Sequence, residues 1–436
     1  MRPKRDIHLK SEISRKLLVI DIAALGWDLV QNAGRDDFQK LEGALPGVTC
    51  TAQAAFRTAA PVSTHGVASN GFFFRDLKKV LFWEQASSLV SGPRIWEDFR
   101  ARGGRVGLMF WQQSLGEEVD LVLSPTPVHK HGGGMIQSCY TMPRDLEARL
   151  NEKVGRPFNL MNYWGPLANR KSSDWIVEAT SAAMTLPDAP ELLLTYIPHL
   201  DYDLQRHGPG SVKAKAALDV LLGYLERLKR DAVANGYEWL LFGDYAIEPV
   251  KRGALFPNRK LREAGLFAQR SIRGMSYADF FSAPAFAMVD HQIAHVFCRD
   301  EKSTAQAADA LANMVGVSDI LDRSAQKKHG LDHRNSGDLV LVAEPGAWFA
   351  YPWWSDKREA PDFATHVDIH NKPGYDPCEL FFGWPPLSVS QDTEKVHGTH
   401  GRPGGSVAWA SSIDFAEKPA TLVELAAATK NWLDAE

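Results

Sequence analysis

Short apolar runs rich in Val, Ile and Leu alternate along this chain with longer stretches in which apolar residues recur every three or four positions. The short runs predict strands over Lys16–Ala23, Val106–Trp111, Glu191–Ile197, Glu238–Asp244, Ala285–Val289 and Asp338–Ala343. The longer stretches predict helices over Ile95–Arg102, Pro143–Val154, Val212–Asn235, Ser303–Val315 and Leu422–Leu433. Val212–Asn235 carries the clearest stripe, with Leu218, Leu221, Leu222, Leu225 and Leu228 on one helical face. This β-α alternation implies an α/β fold with a central, mostly parallel sheet sandwiched by helices. Such sheets place their chemistry at the carboxyl ends of the strands. Asp21 and Asp244 each close a predicted strand and so stand where a site is expected.

Two irregular regions break the alternation. Residues 71–169 are rich in Trp, Gly and Pro and read as a partly inserted region that shapes a pocket; residues 345–405 are loop-rich. At 436 residues the chain has room for one large core with inserted lobes or for two ordinary domains, and we read one domain over 1–436. A composition of 44% hydrophobic and 23% charged residues is that of a globular protein. A net charge of -4, with no long Lys/Arg run, speaks against a nucleic-acid polymer as partner. The opening Met1-Arg2-Pro3-Lys4-Arg5 has the charge of a leader, but His8-Leu9-Lys10-Ser11-Glu12 lacks the apolar stretch that should follow. No segment approaches the eighteen or so apolar residues of a membrane span. Four scattered cysteines without CxxC spacing read as free thiols and point to the cytoplasm. Oligomeric state is not legible.

The chemistry gathers first around Pro46-Gly47-Val48-Thr49-Cys50-Thr51-Ala52-Gln53, followed by Ser63-Thr64-His65-Gly66 and Ser69-Asn70-Gly71. Thr51-Ala52-Gln53-Ala54-Ala55-Phe56 is a good helix opening, so Thr49 falls at an amino end, where the dipole favours a phosphate. A plain N-cap is the bland alternative for Thr49 or Thr51. With Asp21 before it and Asn70 twenty-one positions after it, Thr49 resembles the nucleophile of the alkaline phosphatase superfamily, in its nucleotide pyrophosphatase/phosphodiesterase branch. The phrases Tyr196-Ile197-Pro198-His199-Leu200-Asp201-Tyr202, Asp290-His291-Gln292-Ile293-Ala294-His295 and Lys372-Pro373-Gly374-Tyr375-Asp376 are similar to a narrower bacterial subgroup.

The resemblance implies a two-metal hydrolase passing through a phospho-threonine, with Thr49 attacking phosphorus and Asn70 steadying the charged oxygens. Two motifs depart from it. Relatives carry an aspartate, a histidine four later and Gly-Pro beyond; counting back from Gly208-Pro209 gives Asp201 and Gln205, whereas anchoring on the histidine gives Asp203 and His207. We favour Asp201, nearer the strand. Where relatives read Asp-His-Gly, this chain reads Asp244-Tyr245-Ala246, and tyrosine is an uncommon zinc ligand. Replacement imidazoles are available at His291 and His295, which share a face if helical and need not converge otherwise, and at His370. His397-Gly398-Thr399-His400-Gly401 resembles the late motif that supplies the last metal ligand.

The expected centre is therefore Asp21, Thr49 and Asp244 on one divalent ion, with Asp201, His370 and His400 on a second and His291 or His295 filling a vacancy. Zinc is expected, or manganese, as one or two ions. Arg206, Lys372 and Arg402 are candidates for gripping a small phosphorylated substrate. His65 reads as structural, and His129 and His131 before Gly132-Gly133-Gly134 as a turn. The expected activity is hydrolysis of a phosphodiester, pyrophosphate or phosphonate. A phosphomonoesterase or phosphomutase on the same scaffold is the enzymatic rival, and a binding protein that has lost catalysis is the other. A sulfatase would want a nucleophilic cysteine or serine, and Cys50 is one position out of register.

Overall fold

The computed structural model describes residues 15–131 and 134–435. The basic opening Met1–Arg5, and Gly132 and Gly133 of the glycine turn, lie outside these residues. Among those described, eight strands form the main sheet, in the order Gln39–Glu42, Ser406–Ser411, Glu238–Gly243, Leu17–Ile22, Leu192–Ile197, Val106–Met109, Leu121–Pro125 and Cys139–Met142. The five from Glu238–Gly243 to Leu121–Pro125 run parallel, and antiparallel strands flank them on both sides. In this register Asp21 lies opposite Tyr196 on one neighbour and Phe242 on the other.

The central strand is wholly buried, so both of its faces are apolar. Leu18, Ile20 and Ile22 pack with Trp175, Ile176, Leu218, Leu221 and Leu225 from helices Lys171–Ala183 and Val212–Ala234. Leu17 and Val19 face the other way, toward Ala52 and Phe56 of helix Thr49–Thr58 and Leu422 and Leu425 of helix Leu422–Asp434. The expected layered fold is thus present. No helix among the described residues is long and apolar enough to cross a membrane.

Two expected strands leave the main sheet. Ala285–Asp290 and Leu339–Ala343 join Ile293–Cys298 and Val317–Leu321 in a separate antiparallel sheet over its own apolar cluster. The reason is the connection: only His291 and Gln292 separate the first pair of strands, too short for a parallel crossover. Within 71–169, three strands belong to the main sheet, while Gly71–Phe74 and Lys79–Phe82 form a hairpin beside it. Residues 345–405 consist largely of loops and single 3-10 turns. Gly398 anchors this segment, since a Cβ there would meet the Leu204 carbonyl oxygen at 2.3 Å.

Phe56 fixes helix Thr49–Thr58 to the sheet, fully buried with its ring stacked on Phe242 at 4.7 Å. Phe56→Ala is expected to cost about 3–5 kcal/mol, read as a lowered midpoint in equilibrium denaturant unfolding.

Candidate active site

Three neighbouring parallel strands deliver three aspartates to one end of the sheet. Asp21 lies near the end of Leu17–Ile22, Asp244 directly follows Glu238–Gly243, and Asp201 lies in helix His199–His207, which follows Leu192–Ile197. Helix Thr49–Thr58 points its amino end at them. Val48, in extended conformation, is its N-cap, and no side chain caps it. Thr51 spends its hydroxyl on the Val67 carbonyl at 2.9 Å. Thr49 instead donates its hydroxyl to Asp244 Oδ2 at 3.0 Å, with the Tyr196 hydroxyl 3.4 Å away. One turn on, Gln53 Nε2 donates to Asp21 Oδ2 at 2.7 Å, and its Oε1 accepts the Gln112 N–H.

Asn70 is held at both ends of its amide. Its Oδ1 accepts the Cys50 N–H at 3.0 Å, and its Nδ2 donates to Asp290 Oδ1 at 3.3 Å. Asp290 Oδ2 also accepts the Asn70 backbone N–H at 2.8 Å and the Ser69 hydroxyl at 2.9 Å. The Cys50 N–H is therefore engaged by Asn70 itself. The second hydrogen on Nδ2 is left for a further acceptor.

Asp201 and Gln205 lie on the buried side of their helix, while Asp203 and His207 lie on its outer side, partly exposed and 3.9 Å apart. Gln205 Nε2 donates to both oxygens of Asp201, at 2.7 and 2.8 Å, and the Tyr245 hydroxyl donates to Oδ1 at 2.9 Å. The Tyr245 ring lies flat on His400, centroids 3.6 Å apart. His400 in turn meets His291 at 3.8 Å, and His291 meets Tyr375 at 4.4 Å, giving a four-ring stack along one wall. His400 Nδ1 is fixed 2.7 Å from the Gly47 carbonyl, just before helix Thr49–Thr58.

A cavity of about 170 Å³ opens over Thr49, Asn70, Asp201, Gln205, Tyr245, His291 and His400. Trp83, Tyr163, Trp164, Ile369, His370 and Glu379 also line it. His370 is exposed, whereas Asp201 is buried. His295 is not part of the wall: its ring nitrogens face the Ala68 carbonyl at 2.9 Å and the Gly337 N–H at 3.1 Å. The hairpin separates it from His291, which sits in the turn at φ +57°. His65 accepts the Val67 N–H at 3.1 Å, a local structural bond. The basic candidates are engaged elsewhere. Arg206 donates to the carbonyls of Ala168 and Leu380, Lys372 pairs with Asp376 and Glu379, and Arg402 donates to Ala343. Among the described residues, none of those lining the cavity is Lys or Arg.

A profile of the type I phosphodiesterase / nucleotide pyrophosphatase family matches residues 33–376, most of the chain. The chain belongs to that family. Its fold is similar to that of a phosphonoacetate hydrolase from Sinorhizobium meliloti 1021, solved with phosphonoformate, at a TM-score of 0.63 and 14% identity, over 97% of this chain and 96% of that one. It is also similar to murine ectonucleotide pyrophosphatase/phosphodiesterase 5, at 0.58 and 14% over the same shares, and to the human protein, at 0.56 and 12%. Family membership makes the chain a hydrolase of phosphoester-type bonds and associates it with divalent metal.

The residues present fit such a cation unevenly. Among the described residues, no group of three or more His, Cys, Asp or Glu side chains is arranged to hold a metal ion. Asp21, Thr49 and Asp244 nevertheless form a set of three oxygen donors, and Asp21 Oδ1 is buried without any hydrogen-bond partner. Burial pushes the Asp21 carboxyl well above its ordinary range; burial and then the Asp21 charge do the same to Asp244. A cation relieves both. The Asp201, His370, His400 group does not fit. Gln205 and Tyr245 already satisfy Asp201, and His370 is exposed. Burial also pushes His400 down to about 3 and lowers His291, so both rings are neutral across the physiological range.

Sequence reasoning passed over Asp290, Gln53, Tyr196 and Tyr375. Asp290 ends a strand, the same signal that marked Asp21 and Asp244, but the histidines beside it drew the reading.

Two outcomes are expected. Asp290→Asn puts an amide against three donors, so kcat on a phosphodiester should drop at least roughly tenfold with the far-UV circular dichroism spectrum unchanged. In chelated protein, folding takes up protons at Asp21 and Asp244 that the unfolded chain has already released above the usual carboxylate range. Stability should therefore fall as pH rises from about 4 through neutrality, and a saturating divalent cation should flatten that slope in thermal melts.

Proposed function

We propose that this chain hydrolyses a phosphodiester, pyrophosphate or phosphonate bond of a small substrate, with Thr49 as nucleophile. One observation carries the reading: the Thr49 hydroxyl sits at the amino end of a ten-residue helix, bonded to Asp244 at 3.0 Å, and opens on the same cavity as Asn70. Asp21, Thr49 and Asp244 would hold a divalent cation, manganese or zinc, which when bound supplies the positive charge that an ionised hydroxyl and a phosphoryl group need.

The Thr49 oxygen forms the bond to phosphorus as its proton passes toward Asp244, and the leaving group departs from the opposite side. Water then cleaves the threonine ester and releases the phosphoryl product. The free Nδ2 hydrogen of Asn70 takes an equatorial oxygen, held in place by Asp290. Helix Thr49–Thr58 adds its amino-end dipole at the same point. Trp83, Tyr163 and Trp164 give the leaving group an aromatic wall. With all four cysteines free, the cytoplasm is the setting we propose.

A second reading, a binding protein on this scaffold, is favoured by Gln205 and Tyr245, which satisfy Asp201 without a cation. Turnover separates the two. Purified protein with manganese or zinc should hydrolyse a p-nitrophenyl phosphodiester, and Thr49→Ala should reduce kcat by roughly 10³-fold or more. Activity that survives Thr49→Ala would sink the nucleophile assignment. Binding of a phosphodiester with no turnover in either protein would favour the second reading.

A further inference from the structure

We infer that this chain holds a single hard divalent cation, magnesium or manganese, on Asp21, Thr49 and Asp244, and that Gln205 and Tyr245 replace the second cation of a two-metal site with a clamp of neutral hydrogen bonds. The inference rests on the proposed role of Asp21, Thr49 and Asp244 and goes beyond it in the number and kind of ion.

The first half of the argument is the donor set. Two carboxylates and a hydroxyl are hard oxygen ligands, and the group contains no imidazole or thiolate. Oxygen-only sites of one or two carboxylates, completed by water and substrate phosphate, suit magnesium and manganese; zinc prefers nitrogen and sulfur among its ligands. Asp21 Oδ1, fully buried and unpartnered, is the atom that needs a cation. Its other oxygen is fixed by Gln53, which sets the carboxylate's orientation.

The second half is Asp201. Gln205 gives its amide to both oxygens at 2.7 and 2.8 Å and Tyr245 gives its hydroxyl at 2.9 Å, so three short hydrogen bonds converge where a cation would otherwise stand. A dication entering here displaces those bonds, and the side chains that touch Asp201 are an amide and a phenol, neither of them a usual zinc ligand. The Tyr245 ring is also locked, lying within 5° of parallel to His400. Neutral donors can hold a buried carboxylate in place, which is a cation's structural task. They add no net positive charge, so neutralising the phosphoryl group falls to the one ion.

The test is metal stoichiometry on the full-length protein, by elemental analysis after dialysis against manganese or zinc, with electron spin-echo spectroscopy of the manganese form. About one equivalent of manganese is expected, without the nitrogen modulation of a directly bound imidazole, and Asp244→Asn should remove it while Asp201→Asn should not. Tyr245→His with Gln205→His should raise zinc uptake to about two equivalents, and Gln205→His alone should raise it above wild type if the double variant fails to fold. Two equivalents in the wild type, none at all, nitrogen coupling, or an ion lost with Asp201 rather than Asp244 would each overturn the inference. The count does not depend on turnover. An inactive protein with one oxygen-ligated manganese would refute the hydrolase reading and leave this one standing.

Discussion

Carboxylates buried at the ends of adjacent parallel strands must be compensated, and the arrangement around this site answers that demand. Asp21, Asp244 and Asp201 are all buried, yet among the described residues no lysine or arginine lines the cavity beside them. Each charge is met differently. Asp201 is satisfied by Gln205 and Tyr245, Asp244 by Thr49 and the N–H groups of Ala24 and Tyr245, and Asp21 by Gln53 on one oxygen only. An isolated buried charge costs several kcal/mol, and the three carboxylates differ in how far protein donors offset that cost.

The same demand shapes the surroundings. Gln53 reaches Asp21 because it lies one helical turn beyond Thr49, and it is itself held by Gln112 at the mouth of the next loop. Phe56, a further turn along, ties that helix to Phe242, two residues before Asp244. Thr49, the carboxylate that receives its hydroxyl and the packing that fixes both are therefore one mechanical unit. On the other side, Tyr245, His400, His291 and Tyr375 stack as rings, so the two histidines that sequence marks as ligands stand in one packed wall of the cavity.

Some of this was legible from residues alone. Asp21 and Asp244 were visible because a short continuous apolar run ending in a carboxylate marks a strand terminus in an α/β sheet. Thr49 was visible because a small, Ala-rich opening follows it. Asp201 against Asp203 was not decidable from spacing, because two residues on a helix point about 200° apart and either register preserves one motif element. His295 and His370 were misplaced in the expectation for a local reason: a two-residue turn converts an i, i+4 pair into a hairpin, and a polar loop carries no signal of which side chains it buries.

Sequence by itself determined the layered α/β fold, the helix that presents Thr49, and the family, because these follow from periodicity and from motifs confined to short segments. Only the tertiary structure decided that Gln205 and Tyr245, forty residues apart in the chain, close on one carboxylate, that Asp290 holds Asn70, and that His291 stacks on His400. Those are contacts across sheets and loops. Their energies depend on distance and burial, which no local pattern of residues encodes.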